Sequence, residues 1–310
     1  MEIRKLDKKD NIKTRPLYEE VFAEDSKSFV DYYYTEKIKD NDIYVIEDQG
    51  KIISMIHLNP YEMVLFGNKL PIHYIVAVAT KKEYRGQGLM KSLLIRVLND
   101  LKKAGEVITY LMPVAEAIYA PYDFYTVNEK KWVYFKDLEA PKKDESYHLL
   151  KEEECQTLAR RMNDKLAATY DLYIYRDEVY YQRLLKEYAS ENASLMVKIK
   201  AENLVDVIPD VVEPDMYQAK FMVRILDPEK FLSLIPVKEK LNAVITIKDN
   251  FIEDNNRWYH IAANKGERVL VKPVINNVIS EVEKISILEL TKKVFDECIP
   301  SNKIRFDEVV

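Results

Sequence analysis

The residues with the clearest chemical potential occupy positions 85–88 (Arg-Gly-Gln-Gly), between an apolar run that ends at Thr80 and a helical pattern that begins at Leu89. The first amides of a helix have no acceptor within the helix, and the helix dipole places partial positive charge there. Glycine lacks a Cβ, so an anion can approach the backbone, and Arg85 can add a charged hydrogen bond. The turn is predicted to bind a phosphate-bearing ligand; an inert strand-to-helix connection is the alternative.

Two common phosphate motifs do not fit this turn. A P-loop needs Gly-Lys-Ser or Gly-Lys-Thr, and a dinucleotide fingerprint needs a third glycine where Lys91 stands. The ligand must therefore be inferred from the elements that surround the turn.

Hydrophobic periodicity predicts the elements that position the turn. Two β-hairpins are predicted over residues 43–58 and 61–80, each with a turn containing glycine. Apolar residues at helical spacing predict a helix over 88–105, which ends at a glycine. A buried strand is predicted at 107–112, and residues 132–135 are predicted to form the last strand of this unit.

This order of strand, turn and helix resembles the GCN5-related N-acetyltransferase (GNAT) superfamily, whose acetyl-CoA motif is Arg/Gln-x-x-Gly-x-Gly/Ala after the fourth strand. Arg85 and Gly88 match that motif, whereas its sixth position is Met90. The resemblance implies acetyl-CoA as cosubstrate, and the spacing of the histidines predicts no metal. The strand before the turn would pair with the pantetheine arm through its backbone, and the turn and first helical residues would hold the pyrophosphate. The residues implied are Val78, Ala79, Thr80, Arg85, Gly86, Gln87, Gly88, Leu89, Met90 and Lys91.

A hydrophobic residue at position 90 followed by a basic one resembles the enhanced-intracellular-survival (Eis-like) subgroup of these acetyltransferases. In that subgroup a tyrosine after the fifth strand is the general acid, and the matching pair here is Ile118-Tyr119. The resemblance implies that Tyr119 protonates the departing thiolate, a role that suits a nearby hydroxyl. A core tyrosine with a satisfied hydroxyl is the alternative.

The same resemblance implies that the C-terminal carboxylate, here that of Val310, takes the proton of the acceptor amine. In the subgroup a third domain resembling sterol carrier proteins presents that carboxylate, and residues 222–227 resemble the opening of that domain. The chain ends in an apolar segment at 304–310, whereas termini usually fray. An ordinary docked terminus without a chemical role is the alternative.

The resulting fold expectation is an α+β protein with three units. Residues 1–141 are predicted to form a GNAT acetyltransferase domain, whose mixed, mostly antiparallel sheet is flanked by helices. Residues 142–214 would form an abbreviated second acyltransferase-like domain or helical linker, and 215–310 a sterol-carrier-like α/β domain.

Composition limits the compartment and the partners. The 47% hydrophobic and 32% charged fractions are typical of globular proteins. No apolar run approaches the roughly 18–20 residues that span a bilayer and no signal-peptide core is seen, so we expect a cytoplasmic protein without a membrane partner. The net charge of −5 disfavours nucleic acid and mildly favours a cationic substrate. The expected partner is a small-molecule or peptide amine, and the resemblance suggests a homo-oligomer.

Two further groups of residues are considered as possible parts of the site. The four histidines show no metal-binding spacing, although His57 is a candidate for the acceptor pocket. An acidic and aromatic cluster could attract a cationic acceptor, but a solvated helix face is the favoured interpretation, and the cluster is left out of the predicted site. Its members are Glu24, Asp25, Asp31, Tyr32, Tyr33, Tyr34 and Glu36.

Two rival functions stay open at this point. The chain could be a coenzyme A-binding sensor without turnover, or its C-terminal unit could carry an apolar ligand. The sensor would bind coenzyme A without releasing thiol in the presence of any amine.

Overall fold

The computed structural model describes residues 1–131, 133–210, 218–274 and 282–307. Its strands, numbered along the chain, are β1 (Glu2–Lys5), β2 (Asp42–Asp48), β3 (Lys51–Leu65), β4 (Asn68–Thr80), β5 (Ile108–Leu111), β6 (Tyr125–Lys131), β7 (Glu145–Leu149), β8 (Leu172–Ile174), β9 (Ser194–Lys200), β10 (Asn203–Asp210), β11 (Gln218–Ile225), β12 (Leu241–Lys248), β13 (Trp258–Ala263), β14 (Leu270–Val274), β15 (Glu283–Ser286) and β16 (Ile304–Arg305).

The α-helices pack on the faces of three sheets. They are α1 (Arg15–Val21), α2 (Lys27–Thr35), α3 (Leu89–Lys103), α4 (Glu116–Tyr119), α5 (Cys155–Thr169), α6 (Glu178–Ser190), α7 (Pro228–Ser233) and α8 (Ile287–Glu297). Within the ranges given above, none of the helices combines the length and apolar character needed to cross a bilayer.

The largest sheet has the order β1-β2-β3-β4-β5-β11-β6. In addition, β8 pairs with the C-terminal end of β3, and β16 pairs with β8. The predicted hairpins are confirmed as β2–β3 and β3–β4. Their turns place Gln49 and Gly50, then Phe66 and Gly67, at positive φ, as two-residue hairpin turns require. The predicted helix is confirmed as α3, whose buried stripe includes Leu93, Leu94, Val97, Leu98 and Leu101.

The place of β11 differs from the sequence expectation. We expected this segment to open the third unit, but β11 lies in the largest sheet, antiparallel to both β5 and β6. Its burial explains the position, because Phe221, Val223 and Ile225 are fully buried in the core of that sheet. The strand predicted at 132–135 is also displaced: β6 ends at Lys131, Trp132 lies outside the described residues, and a 3₁₀ turn begins at Phe135.

Between β6 and β11 the chain builds a smaller layer rather than a purely helical linker. A three-stranded sheet, β10-β9-β7, carries α5 and α6, and its core includes Leu158, Tyr181 and Val197. The strand β8 leaves this layer to pair with β3. The middle of the chain is therefore tied into the main sheet.

The last part of the chain forms the four-stranded sheet β14-β13-β12-β15 with α7 and α8. The sequence predicts N-terminal caps at Asp227 and Ser286, and both are confirmed. Asp227 accepts a hydrogen bond from the Lys230 amide, and Ser286 and Glu289 form a capping box. The sequence also predicts a strand at residues 278–282, most of which lies outside the described residues.

A buried ion pair joins the main sheet to this C-terminal unit. Arg224 of β11 donates to Asp249 at 2.6 Å, and neither side chain is exposed to solvent. The other Asp249 contacts are the backbone amides of Phe251 and Ile252 and the side-chain amide of Asn255. Both charges are thus surrounded by hydrogen-bonding partners, which a buried pair requires.

Replacing Arg224 by methionine should destabilise the fold strongly, because the Asp249 carboxylate would stay buried without its cation. Breaking a buried pair from one side costs roughly 3–5 kcal/mol. The control is Arg96→Met, since the Arg96 side chain is 49% exposed and pairs with Asp100 on the surface of α3; an exposed pair contributes at most about 1 kcal/mol. Urea unfolding should separate the two variants, and equal losses would contradict this role of Arg224.

Candidate functional site

The turn after β4 has the backbone geometry that its glycines predict. A 3₁₀ turn at Lys82–Tyr84 leads to Arg85, and Gly86 and Gly88 both have φ of +76°. That left-handed conformation favours glycine, and Gly88 caps α3. A Cβ built on either glycine meets no atom within 4 Å. The turn is exposed, so its backbone is open to a ligand.

Side chains at the turn fall into two groups. Arg85 is exposed, and its Nε donates to the carbonyl oxygen of Thr80 at 3.1 Å, which holds the guanidinium at the end of β4. Lys91 is exposed on the first turn of α3. Leu89 and Met90 instead pack against the apolar cluster beneath the helix. Met90, the residue that departs from the GNAT motif, therefore serves packing while the backbone stays available.

The strands β4 and β5 are held together over only a short length. Their parallel register joins Tyr74 to Tyr110 and Ile75 to Leu111. The strand β5 ends there, whereas β4 continues to Thr80. At Ala77 the backbone of β4 has φ of +48°, and the register with β3 shifts at this point, as in a β-bulge. The edge of β4 that contains Val78, Ala79 and Thr80 thus runs past the end of its β5 partner.

Tyr119 lies at the end of α4, in the segment that follows β5. Its side chain is 7% exposed and packs edge-on against Phe124. It belongs to the same apolar cluster as Ile75 and Leu111, where the two strands part. Burial raises the pKa of Tyr119 to about 12, so the phenol keeps its proton at neutral pH. Its hydroxyl has no hydrogen-bond partner among the described residues, unlike a tyrosine satisfied within the core.

The structure also contains a cavity of about 670 Å³ between α2, β3, α6 and the end of the chain. Aromatic residues form part of its wall, among them Phe29, Tyr61, Tyr134, Tyr175, Tyr180 and Tyr188. Two cationic residues, Lys37 and Arg183, line it. Its acidic lining residues are Glu24, Asp25, Asp40, Glu62, Asp177, Glu187, Glu191 and Asp307. The excess of carboxylates suits a cationic occupant.

Sequence reasoning missed this cavity. Glu24 and Asp25 belong to the cluster that was interpreted as a solvated helix face, but both line the cavity. Most of the other acidic residues come from segments more than a hundred positions later, which periodicity could not bring together. The signal that existed was the acidic and aromatic composition around residues 24–36.

Two of the cavity carboxyls are partly desolvated. Burial raises the pKa of Glu187, whose Oε2 accepts from the Tyr32 hydroxyl at 3.1 Å and lies 3.9 Å from the Lys37 ammonium. Burial also raises the pKa of Asp25, which accepts from the Tyr18 hydroxyl at 2.7 Å. Both groups can therefore hold a proton at a higher pH than an exposed carboxyl.

The sheet register relates this cavity to the split strands. Asn59 lines the cavity and lies opposite Tyr74 on β4, which in turn lies opposite Tyr110 on β5. The strands part after the next residue pair, Ile75 with Leu111. Adjacent strands are about 4.8 Å apart, so the cavity wall at Asn59 lies roughly 10 Å from the start of the cleft. The residues predicted to hold acetyl-CoA are not part of the cavity lining.

Two other sequence candidates have different outcomes. His57 does not line the cavity: it is fully buried in β3, its Nδ1 lies 2.9 Å from the Tyr33 hydroxyl, and burial lowers its pKa to about 3. Val310 lies outside the described residues, which end at Asp307. Within those residues no group of three or more His, Cys, Asp or Glu side chains is arranged to hold a metal.

The chain is similar to known proteins in part of its sequence and over most of its fold. Residues 2–127 match the family model of the acetyltransferase (GNAT) domain, and no curated protein matches the chain. A probable N-acyltransferase from Enterococcus faecalis is similar in structure, with TM-score 0.74 and 15% identity over 95% of this chain and 89% of that one. A GCN5-related N-acetyltransferase from Anabaena variabilis has a TM-score of 0.72 and 13% identity, over 95% of this chain and 90% of that one. Eis1 from Mycobacterium abscessus has a TM-score of 0.65 and 11% identity, over 94% of this chain and 88% of that one.

At these identities the solved structures establish the fold, and they do so over nearly the whole chain. The family match covers the glycine turn, the split strands and Tyr119. Residues 2–127 are thus similar to acetyltransferase domains of the GNAT type, and the prediction of an acyltransferase enzyme is confirmed.

Proposed function

We propose that this enzyme transfers the acetyl group of acetyl-CoA to an amine where the cleft between β4 and β5 approaches the acidic cavity. The observation that carries the proposal is the divergence of β4 from β5, directly before the glycine turn. One continuous segment can then hold both ends of the coenzyme. The edge of β4 accepts the pantetheine arm as an added strand, and the start of α3 accepts the diphosphate.

In this proposal each predicted coenzyme contact has a defined part. Val78, Ala79 and Thr80 offer backbone groups, whereas the amides from Gly86 to Lys91 face the diphosphate. Arg85 exchanges its hydrogen bond to the Thr80 carbonyl for a charged one to phosphate. The strand edge thereby directs the thioester toward Tyr119.

Transfer then needs one acid and one base. The acceptor amine first loses its ammonium proton to water. The neutral amine then attacks the thioester carbonyl, the carbon–sulfur bond breaks, and Tyr119 donates its proton to the sulfur as the thiolate leaves. No covalent enzyme intermediate is required, so both substrates are bound together. A phenol with pKa near 12 is protonated at neutral pH and is positioned in a dry cluster where it stabilises developing negative charge.

We assign the base to the C-terminal carboxylate of Val310. The support is the position of Asp307, which lines the cavity and is held by an ion pair with the buried Arg176 and by Arg305 Nε at 2.8 Å. Three further residues span at most roughly 10 Å. A carboxylate on that tail would take the proton that the amine loses on attack.

The acceptor in this proposal is a cationic amine, either a small molecule or a peptide. The acidic lining raises its local concentration, and the aromatic rings provide faces on which an ammonium or alkyl chain can rest. We also propose that the C-terminal unit, with its sheet β14-β13-β12-β15 and helices α7 and α8, is sterol-carrier-like and serves to deliver the tail. Its strand β16 pairs with β8 beside the cavity.

Gly88→Ala should weaken acetyl-CoA binding about tenfold, which corresponds to roughly 1.4 kcal/mol. The added Cβ meets open space, so the effect arises from the left-handed backbone, which disfavours alanine and would turn the amides away. Gly105→Ala is the matched control, since Gly105 at the other end of α3 has φ of +95° and equally open space. Calorimetry should show weaker binding only in Gly88→Ala; equal affinities in both variants would contradict the predicted cradle.

Tyr119→Phe should lower kcat by about 10²–10⁴, the range for loss of a general acid, and leave acetyl-CoA affinity nearly unchanged. The ring and its packing are retained, so only the proton donor is lost. Tyr122→Phe is the control three residues further on. Thiol release and calorimetry give the two quantities. A similar loss of kcat in both variants would rule out a special role for Tyr119.

A peptide tag added after Val310 should suppress turnover, because it replaces the terminal carboxylate by an amide and moves the new terminus away. The same tag before Met1 should have little effect. Thiol release in the presence of an active amine is the measurement. Full activity in the C-terminally tagged protein would exclude the terminal carboxylate as the base.

A further inference from the structure

One wall of the acidic cavity contains polar atoms without partners. Among the described residues no hydrogen-bond partner is found for Asn59 Nδ2 and Oδ1, Asn41 Oδ1 or Asp40 Oδ1, and all four atoms are buried. Asn41 and Asn59 are each only 1% exposed, and all three residues line the cavity. Each such atom costs about 1–3 kcal/mol, and native proteins retain few of them.

The remaining atoms of these side chains are engaged, which explains their orientation. Asp40 Oδ2 accepts from Arg183 at 2.8 Å, and Asn41 Nδ2 donates to the Tyr33 hydroxyl at 3.4 Å. Asn59 lies on β3 and is held by the sheet through its backbone register with Tyr74. The wall thus presents three unpaired oxygen acceptors and one nitrogen donor.

An ammonium group complements the three oxygen acceptors of this wall, because it has three N–H donors. The neighbouring carboxylates favour a positively charged ligand, and Asp40 itself contributes a carboxylate to the wall. We propose that Asp40, Asn41 and Asn59 form a subsite for a second ammonium group of the acceptor, one that is held and not acetylated. The unpaired atoms are closed to solvent in this conformation, so binding requires the side chains to turn toward the ligand.

This inference rests on the proposed function and adds a geometric requirement to it. The subsite lies roughly 10 Å from the start of the coenzyme cleft, as the strand spacing shows. The acceptor is therefore a compound with two amino groups separated by a spacer of matching length. Because the second amine is held away from the thioester, the product carries a single acetyl group.

The test uses the full-length enzyme with a series of linear α,ω-diamines, and for each length the monoamine and the amino alcohol. We expect kcat/KM to pass through a maximum with diamine length and to exceed that of the matched monoamine by at least about tenfold, equivalent to roughly 1.4 kcal/mol. Amino alcohols should behave as monoamines. Mass spectrometry should find one acetyl group per product.

Asn59→Leu removes two of the unpaired atoms at similar volume, and Asp40→Asn removes the charge while retaining the shape. Both should abolish the preference for diamines, so that each diamine reacts no faster than its matched monoamine. Because Asn59→Leu removes buried, unpaired atoms, its thermal midpoint should not fall. Asn242→Leu, on the exposed side of β12, is the control and should keep the preference.

The outcomes separate this inference from the proposed function. Thiol release at equal rates for diamines, amino alcohols and monoamines overturns the subsite and leaves the acetyltransferase intact. If no amine releases thiol, calorimetry with each diamine of the series and coenzyme-free protein tests the subsite directly. Diamine binding that weakens in Asn59→Leu and Asp40→Asn supports the subsite, and binding that is absent or unaffected by either substitution overturns it.

Discussion

The strands β4 and β5 pair through only two residue pairs, Tyr74 with Tyr110 and Ile75 with Leu111, and the free edge of β4 depends on their separation beyond that point. A fully paired β4 would have its edge occupied by a neighbour. Because β5 stops and β4 bulges at Ala77, the edge runs free toward the glycine turn. The same segment therefore provides a strand edge and a helix N-terminus in sequence, which is the arrangement that a long ligand with a diphosphate needs.

The segment that carries Tyr119 depends on charges far along the chain. Arg224 donates to the carbonyl of Tyr122 and pairs with Asp249, which is fixed by the loop around Asn255. The strand β11 that contains Arg224 is inserted between β5 and β6, so it also closes the sheet beneath α4. The segment that carries Tyr119, the main sheet and the C-terminal unit are consequently packed together. A buried pair in this position favours a single packing of the two units, because in another packing a desolvated charge would lose its partner.

Desolvation affects the two sides of the site in related ways. On the coenzyme side it keeps the Tyr119 phenol protonated, and on the cavity side it raises the pKa of Glu187 and Asp25. A group in an apolar cluster responds to a developing charge more strongly than one in water, since fewer solvent dipoles screen it. Tyr119 therefore lies in a dry region, whereas the cavity keeps enough carboxylates to attract a cation. In the proposed reaction this division would suit a leaving thiolate on one side and an arriving amine on the other.

The amino-acid sequence by itself determined the local features: the hairpins, the amphipathic helix α3, the glycine turn before it and the caps at Asp227 and Ser286. These depend on backbone conformation and periodicity over a few residues, which neighbours in the chain specify. Only the tertiary structure decided the insertion of β11 into the main sheet and the assembly of the cavity. Glu24 and Asp307 both line this cavity, although 283 positions separate them in the sequence. Such contacts are selected by the burial of whole faces against one another, and a local pattern does not encode which distant face will be the partner.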